Sequence, residues 1–266
     1  MTEIQKCLKQ ILFNTVELLE KNGINYWVAF GTTLGAIRHH GFIPWDDDID
    51  IYIDGADYDR VKELFSDNKY SFLEFHDYIS KRNYPFTFPK IVDRRTQLIE
   101  KRTMNSGYSS GVYIDVFPLF SVSNNSFIRF IESRIRYINY CIVESWYFNK
   151  ENENRRYIRL FSSILQKFDF NKAQTRILKE VKKGIRETNY LMHPIRFNDK
   201  RIHKRVNFTS FDYLEFEGRK VRVPLDVKSY LFDQYGDYMK LPPEEKRVSE
   251  HNYVELDVHS ALVDSI

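Results

Sequence analysis

Four aspartates lie within five positions in the first fifth of the chain, and this cluster constrains the fold more than any other feature. They are Asp46, Asp47, Asp48 and Asp50. So many negative charges at this spacing repel one another unless a cation lies among them. From Asp48 the chain alternates polar and apolar residues, which is typical of a β-strand. The alternation predicts that Asp48, Asp50 and Tyr52 share one face, while Ile49, Ile51 and Ile53 point into a core and the aspartates point out of it.

The aspartate spacing suits metal-assisted phosphoryl transfer. Two carboxylates about 7 Å apart on one strand face can ligate one hard cation or bridge two. Asp48 and Asp50 are therefore predicted to be catalytic metal ligands, with Mg²⁺ as the expected ion and Mn²⁺ as the alternative. Asp46 and Asp47 are expected to orient these ligands or to hold Arg38 in place.

Small residues precede the aspartates at a predicted strand-to-helix turn. Gly31, Thr32 and Thr33 follow an apolar run at residues 24–30, predicted to be a strand, and lead into a short predicted helix at residues 34–39. Backbone N–H groups at such a turn bind anions, so these residues are predicted to hold donor phosphates through N–H and hydroxyl groups. Arg38 either clamps a phosphate or neutralises the aspartates, and Trp45 is expected to pack beneath the site.

Asp115 is the predicted third carboxylate. It is the single acidic residue in the apolar run GVYIDVF at residues 111–117, which is predicted to be a strand that ends at Pro118. A buried aspartate in such a strand has to be paired or bound to a metal. The alternative is an aspartate at a strand end that caps a turn.

Three stretches resemble a known family. Residues 41–50 read GFIPWDDDID, residues 112–119 read VYIDVFPL and residues 235–251 read YGDYMKLPPEEKRVSEH. Together with Gly31-Thr32 they resemble the LicD family of phosphocholine transferases, within the nucleotidyltransferase-fold superfamily. The resemblance implies an α+β fold with a mixed sheet flanked by helices. It also implies that Lys90, in FPKIVD, binds phosphate and that Arg247 and His251 reach the donor or the acceptor.

The same resemblance implies a reaction. In it, a hydroxyl attacks the phosphorus that carries choline in CDP-choline, and CMP leaves. Phosphocholine, or a comparable phospho-alditol group, would pass to a cell-surface glycan such as teichoic acid or lipopolysaccharide, or to its lipid-linked precursor. The alternatives are a nucleotidyltransferase acting on a small molecule or a nucleic acid, a glycosyltransferase with an Asp-x-Asp motif, and a non-enzymatic scaffold. No stable nucleic-acid partner is expected.

Charge is distributed unevenly along the chain. Residues 121–210 hold 19 Lys and Arg against 8 Asp and Glu, a net charge of +11, which leaves −8 for the rest of a chain whose net charge is +3. We expect a catalytic core at residues 1–120, a basic, mainly helical subdomain at 121–210, and a hairpin, helix and tail at 211–266 that complete the site.

The basic middle carries a regular apolar stripe. Its members are Ile128, Ile131, Ile135, Ile138 and Ile142, and three arginines, Arg129, Arg134 and Arg136, lie outside it. Such a cationic helical layer is a solvated face, a site for a polyanionic acceptor, or a surface that lies against an anionic membrane.

Two lone cysteines, Cys7 and Cys141, fit a reducing compartment. The first residues have no basic segment followed by an apolar one, and no 18 apolar residues run together. We therefore predict a cytoplasmic location, with a peripheral position at the inner face of the membrane as its extension.

Overall fold

The computed structural model describes residues 1–66, 70–101, 106–147, 156–194, 202–249, 253–258 and 261. Within them the chain has the predicted α+β architecture. Its helices are α1 (Glu3–Lys21), α2 (Phe30–His39), α3 (Tyr58–Leu64), α4 (Ser126–Tyr147), α5 (Arg156–Leu165), α6 (Phe170–Val181) and α7 (Val227–Tyr235). Its strands are β1 (Tyr26–Val28), β2 (Asp50–Asp54), β3 (Leu73–His76), β4 (Lys90–Asp93), β5 (Gln97–Glu100), β6 (Tyr113–Val122), β7 (Tyr190–Met192), β8 (His203–Lys204), β9 (Phe211–Phe216), β10 (Arg219–Pro224) and β11 (Tyr253–Asp257).

The main sheet is mixed and runs in the order β1-β2-β6-β4-β3, with β7 and β8 added beside the far end of β6. The pair β2–β6 is parallel, and the other pairs of this sheet are antiparallel. Strand β6 crosses the expected boundary at residue 120, because it ends at Val122 and pairs with β7 there. The division into three parts therefore remains an interpretation.

The alternation along β2 separates two clusters of core residues, as predicted. Ile49, Ile51 and Ile53 pack in the larger cluster with α1, and Tyr52 packs in the smaller one. The prediction that the aspartates point out of the core is wrong for Asp50, which is only 8% exposed. The smaller cluster includes Tyr230 and other residues from the second half of the chain, and it covers this face of the sheet.

Strand β6 does not end at Pro118 as predicted. Asp115 N donates to Ile49 O and Val116 N donates to Pro89 O, so successive N–H groups alternate between the two neighbouring strands. Position 118 therefore faces the side where the paired residues of β4 have ended and those of β7 begin at Phe120. A proline is tolerated there because no ladder bond requires its missing N–H.

Several elements have shorter bounds than predicted. The sequence pattern predicts a helix at residues 56–67, and the structure has a 3₁₀ turn (Gly55–Asp57) followed by α3 there. It also predicts strands at residues 70–75, 87–93 and 96–100, which are the shorter β3, β4 and β5. Strand β5 leaves the main sheet and pairs with β11. The hairpin that the sequence predicts, with its turn at Glu217-Gly218, is β9–β10, and both turn residues have positive φ. The helix predicted at residues 227–235 is α7, with the same bounds.

The basic middle is helical as predicted, and the isoleucine stripe of α4 faces outward. The sequence predicts breaks between helices at residues 149–154 and 169–172; the first lies outside the described residues, and at the second Asp169 caps α6 by accepting from Lys172 N. Four of the five stripe isoleucines are 43–57% exposed, and Ile142 is buried. Arg136, which lies outside the stripe, is 6% exposed and contacts Glu132 and Glu180.

No helix in the described ranges is long and apolar enough to cross a bilayer.

Candidate active site

Asp50, Asp115 and Lys90 lie side by side across three adjacent strands. Asp50 of β2 is the register partner of Asp115 on β6, and Asp115 is the register partner of Lys90 on β4. Register partners present their side chains on the same face of a sheet. The two aspartates that the sequence separates by 65 positions are thus neighbours at the centre of the main sheet.

Lys90 serves Asp115 and does not face an open site. Its Nζ donates to Asp115 Oδ1 at 2.6 Å, and the side chain is fully buried with Nζ 3.2 Å from the centroid of the Tyr113 ring and 4.1 Å from that of Phe86. Strand β4 lies between β3 and β6, so Lys90 is not on a strand at the edge of the sheet, and its contact with phosphate stays a prediction. Lys90 is the charge partner of Asp115.

Carboxylates concentrate around Asp50. Burial raises the pKa of Asp50 well above its ordinary value, and the negative charges of Asp48, Asp115 and Asp46 raise it further, while the charge of Lys90 lowers it. One buried ammonium thus faces several carboxylates within interaction distance. The cluster has the excess negative charge that a bound cation would relieve.

The donor set fits a magnesium ion that shares its coordination with a substrate. Among the residues that the structure describes, no three His, Cys, Asp or Glu side chains converge closely enough to form a metal cage by themselves. Magnesium is usually held by one or two carboxylates, with waters and substrate phosphates completing its octahedron. Asp50 with Asp48 or Asp115 supplies that number of oxygen ligands, and the hydrogen bond from Lys90 reaches Oδ1 of Asp115.

The glycine–threonine segment lies inside α2 and not before it. Helix α2 begins at Phe30, so Gly31, Thr32 and Thr33 form its first turn. Thr33 Oγ1 donates to Val28 O at 2.6 Å, and Thr32 Oγ1 accepts from Asp50 N at 2.9 Å. Both hydroxyls are therefore buried and join the helix to the strands. Binding of an anion by the backbone N–H groups of this first turn stays a prediction.

Asp46 lies against this helix N-terminus. A Cβ atom added to Gly31 would stand 2.7 Å from Asp46 Oδ2, so a side chain at position 31 would displace the carboxylate. A carboxylate is stabilised there by the helix dipole. The loop that carries Asp46 is also held by Gln5, whose Nε2 donates to the Asp46 carbonyl at 2.8 Å.

Phe30 holds a strained backbone at the start of α2. Its φ is +42°, which is unusual for a residue other than glycine. The Phe30 N–H donates to the Tyr230 hydroxyl at 3.0 Å, and the ring contacts Tyr52 and Phe117 with centroids 5.3 and 5.5 Å away. Helix α7 therefore fixes the conformation that aims α2 at the carboxylates.

Arg38 ties the end of α2 to the C-terminal segment. Its Nη1 donates to Tyr238 O at 3.0 Å and its Nε donates to His39 Nε2 at 3.0 Å. Burial lowers the pKa of Arg38, and the nearby Tyr235 and Asp46 act in the opposite direction. Of the two predicted roles, proximity to Asp46 favours neutralisation of the aspartates.

Residues near the C-terminus close over the aspartate loop. Ser249 Oγ donates to Asp47 Oδ2 at 2.5 Å, and the Tyr253 hydroxyl donates to Asp47 O at 3.3 Å. The guanidinium of Arg247 lies 5.8 Å from the centroid of the half-buried Trp45 ring. The predicted Arg247 is thus beside the site, and the predicted His251 lies outside the described residues.

Tyrosines of α7 are site residues that the sequence interpretation missed. Burial raises the pKa of Tyr235 well above its ordinary value. The charges of Tyr230, Asp50, Asp46 and Asp48 raise it further. The Tyr235 phenol therefore lies near the carboxylates, although 44% of the residue is exposed. Its position at the start of YGDYMKLPPEEKRVSEH was the available signal. The sequence gives no comparable signal for Gln5, Tyr230 and Tyr253, because their contacts join distant parts of the chain.

The sequence comparisons agree with this geometry. The family model described as LicD/FKTN/FKRP, nucleotidyltransferase domain, matches residues 23–149. Lipopolysaccharide cholinephosphotransferase LicD from Haemophilus influenzae is 31% identical over 249 residues, which cover 88% of this chain and 89% of the relative. Ribitol 5-phosphate transferase FKRP from Homo sapiens is 37% identical over 59 residues, or 22% of this chain and 12% of the relative. An uncharacterized protein from Rickettsia prowazekii is 49% identical over 57 residues, 21% of each chain.

Proposed function

The chain belongs to the LicD family and is a phosphotransferase, and we propose that it moves phosphocholine, or a related phospho-alditol group, from a CDP-linked donor to a hydroxyl of a glycan. The acceptor would be a cell-surface glycan or its lipid-linked precursor. The activities of the two named relatives, cholinephosphate transfer and ribitol 5-phosphate transfer, support this range of transferred groups.

The observation that carries the proposal is the register pairing of Asp50 with Asp115. It brings together carboxylates from two separate family-like stretches at one position of the sheet, next to the N-terminus of α2. An acidic centre beside a row of backbone N–H groups can receive both a cation and a phosphate. This combination supports a site for a phosphate donor with an attendant divalent ion.

In the proposed reaction the acceptor oxygen attacks the phosphorus that bears the choline or alditol group. The new phosphorus–oxygen bond forms as the bond to CMP breaks, and the hydroxyl proton is lost to water. A magnesium ion held by Asp50 together with Asp48 or Asp115 would neutralise charge on the donor phosphates and on the departing CMP.

The protein's own part is positioning. Lys90 fixes Asp115 through Oδ1, which leaves Oδ2 for a cation. The first-turn N–H groups of α2 would meet a donor phosphate beside Asp46, and the strained Phe30 holds that turn in place. Ser249 and Tyr253 contact the aspartate loop, so these two side chains would help to shield the reacting groups from water.

The proposal is tested with a panel of CDP-linked donors and Mg²⁺, scored for CMP release with and without a glycan acceptor. We expect acceptor-dependent CMP release from CDP-choline or from a CDP-alditol, and its loss when EDTA is added. Asp50→Asn is expected to abolish release, while Asp59→Asn, which removes an exposed carboxylate paired with Lys182, serves as the matched control. Release of pyrophosphate from a nucleoside triphosphate, with no CMP from any CDP donor, would replace the proposal with a nucleotidyltransferase activity.

A further inference from the structure

The outward face of α4 is apolar. Between residues 127 and 138 of this helix, six large apolar residues are 43–70% exposed, and they are Phe127, Ile128, Phe130, Ile131, Ile135 and Ile138. Their separations of three, four and seven residues place them on one side of the helix. Monomeric soluble proteins rarely expose a continuous apolar surface of this kind unless it binds something.

The opposite side of α4 is already filled. Ser133, Arg136 and Asn139 are buried there, with Arg136 Nη2 at 3.0 Å from Glu132 Oε2 and 3.3 Å from Glu180 Oε2 of α6. If the helix were rotated to bury its isoleucines, Arg136 would lose its contact with the Phe120 ring and its ion pair with Glu180 of α6. The apolar face therefore has to be covered from outside the described part of the chain.

A row of cations borders the apolar face. The groove between α4 and α6 has a volume of about 390 Å³, and its lining includes the stripe residue Ile135 and the cations Arg176, Lys179 and Lys183. The carboxylates of Glu132 and Glu180 also line it, and both pair with Arg136. In the described residues, Arg176 and Lys179 have no carboxylate partner, whereas Lys183 pairs with Glu180. Within the face itself, the guanidinium of Arg134 lies 4.7 Å from the centroid of the Phe130 ring.

We propose that the exposed face of α4 and its basic border on α6 dock on an anionic phospholipid bilayer. The isoleucines and phenylalanines enter the boundary between headgroups and acyl chains, and the α4–α6 groove receives lipid phosphates. An aliphatic stripe beside unpaired lysine and arginine side chains matches the two layers of such a surface, because apolar area and positive charge both contribute to binding there.

A second copy of the chain fits this face less well. A symmetric dimer would bring the same patch of each copy together, and with it two sets of Arg134, Arg176 and Lys179. Like charges opposed across an interface are unfavourable. A bilayer that contains phosphatidylglycerol offers the opposite charge.

The test is co-sedimentation of the full-length protein with vesicles of phosphatidylcholine alone or mixed with phosphatidylglycerol. We expect binding to the mixed vesicles that weakens as salt is added. Ile131→Ser combined with Ile135→Ser should weaken binding about tenfold or more. Arg176→Gln combined with Lys179→Gln should weaken it about 25-fold, because each cation near an anionic surface contributes roughly fivefold.

Matched controls separate this face from general stickiness. Val206→Ser with Val254→Ser removes exposed apolar residues elsewhere, and Lys220→Gln with Lys228→Gln removes exposed charges elsewhere. Both pairs should bind like the unmodified protein, and circular dichroism should show that all variants fold. No binding to mixed vesicles, or equal loss in the control pairs, would overturn the proposal. A dimer that dissociates in the Ile131/Ile135 variant, without vesicle binding, would assign the face to a second copy.

Discussion

The aspartate site and the outer face of α4 depart from the usual division of polar and apolar groups in opposite directions. At the site, Asp50, Asp115 and Lys90 carry charge inside the sheet, where an unpaired charge is costly. On α4, aliphatic side chains lie in water while an arginine is buried beneath them. Stability alone favours neither arrangement. Buried charges and exposed apolar side chains both lower stability, so their presence indicates surfaces that bind a ligand or a partner.

The largest expected effect comes from separating the buried pair at the site. Lys90→Met leaves Asp115, whose side chain is 13% exposed, without its cation, and we expect the free energy of unfolding to fall by about 3 kcal/mol. Urea denaturation measures this change. The double variant Lys90→Met with Asp115→Asn should recover most of the loss, because no charge is then left unpaired. A single variant as stable as the double one would mean that the pair contributes no coupling.

Asp50→Asn tests the other side of the same comparison. We expect at least about 100-fold less CMP release, because a ligand or charge at the reacting centre is lost, while the unfolding free energy stays equal or increases. The stability gain follows from removing one charge that Asp48, Asp115 and Asp46 repel. Activity and urea stability are measured on the same preparation. A parallel loss of both would assign Asp50 to the fold and not to the reaction.

His76 provides a buried titratable group away from the site. Its ring contacts the Tyr108 hydroxyl at 2.8 Å and Glu74 at 3.1 Å, and burial lowers its pKa to about 4 from an ordinary value of 6.5. As the pH falls from 7 to 5, the unfolded chain binds this proton and the folded chain does not. The unfolding free energy should therefore fall by about 2 kcal/mol over that range.

His76→Gln should remove most of this pH dependence. The measurement is urea denaturation of both proteins at pH 7 and pH 5. An equal slope in the two proteins would show that other groups are responsible.

The smallest effect is expected on the α4 face. Ile135→Ala should change the unfolding free energy by less than about 0.5 kcal/mol, because the side chain is 57% exposed. Ile142→Ala is the matched control from the same stripe, since Ile142 is buried and its truncation should cost about 2–5 kcal/mol. Comparable losses in thermal or urea unfolding would contradict the orientation of α4.

Local patterns predicted much of the fold. The alternation from Ile49 to Ile53 identified β2 and its two faces, since strand periodicity depends only on neighbouring residues. Asn22-Gly23 is a typical helix stop, and α1 ends at Lys21 with Asn22 as its C-cap. Glu217-Gly218 formed the predicted hairpin turn. The motif at residues 41–50 identified the family, and the match to LicD from Haemophilus influenzae over most of both chains confirmed it.

The errors have nonlocal causes. The early start of α2 depends on the positive φ of Phe30, which Tyr230 supports from 200 positions away. The isoleucine periodicity predicted an amphipathic α4, but it could not show which side would be buried. That choice depends on Arg136 binding Glu180 of another helix. Likewise, the pairing of Lys90 with the carboxylate of Asp115 could be predicted only with the knowledge that β4 lies beside β6.

Strand β6 connects the two regions compared above. It carries Asp115 near one end, stops at Val122, and α4 starts at Ser126. The seven residue steps from Asp115 to Val122 span at most about 24 Å when extended, so the strand limits the distance between the reacting centre and the start of α4. If α4 binds a bilayer, only acceptor hydroxyl groups at a matching distance from the membrane surface would reach the donor.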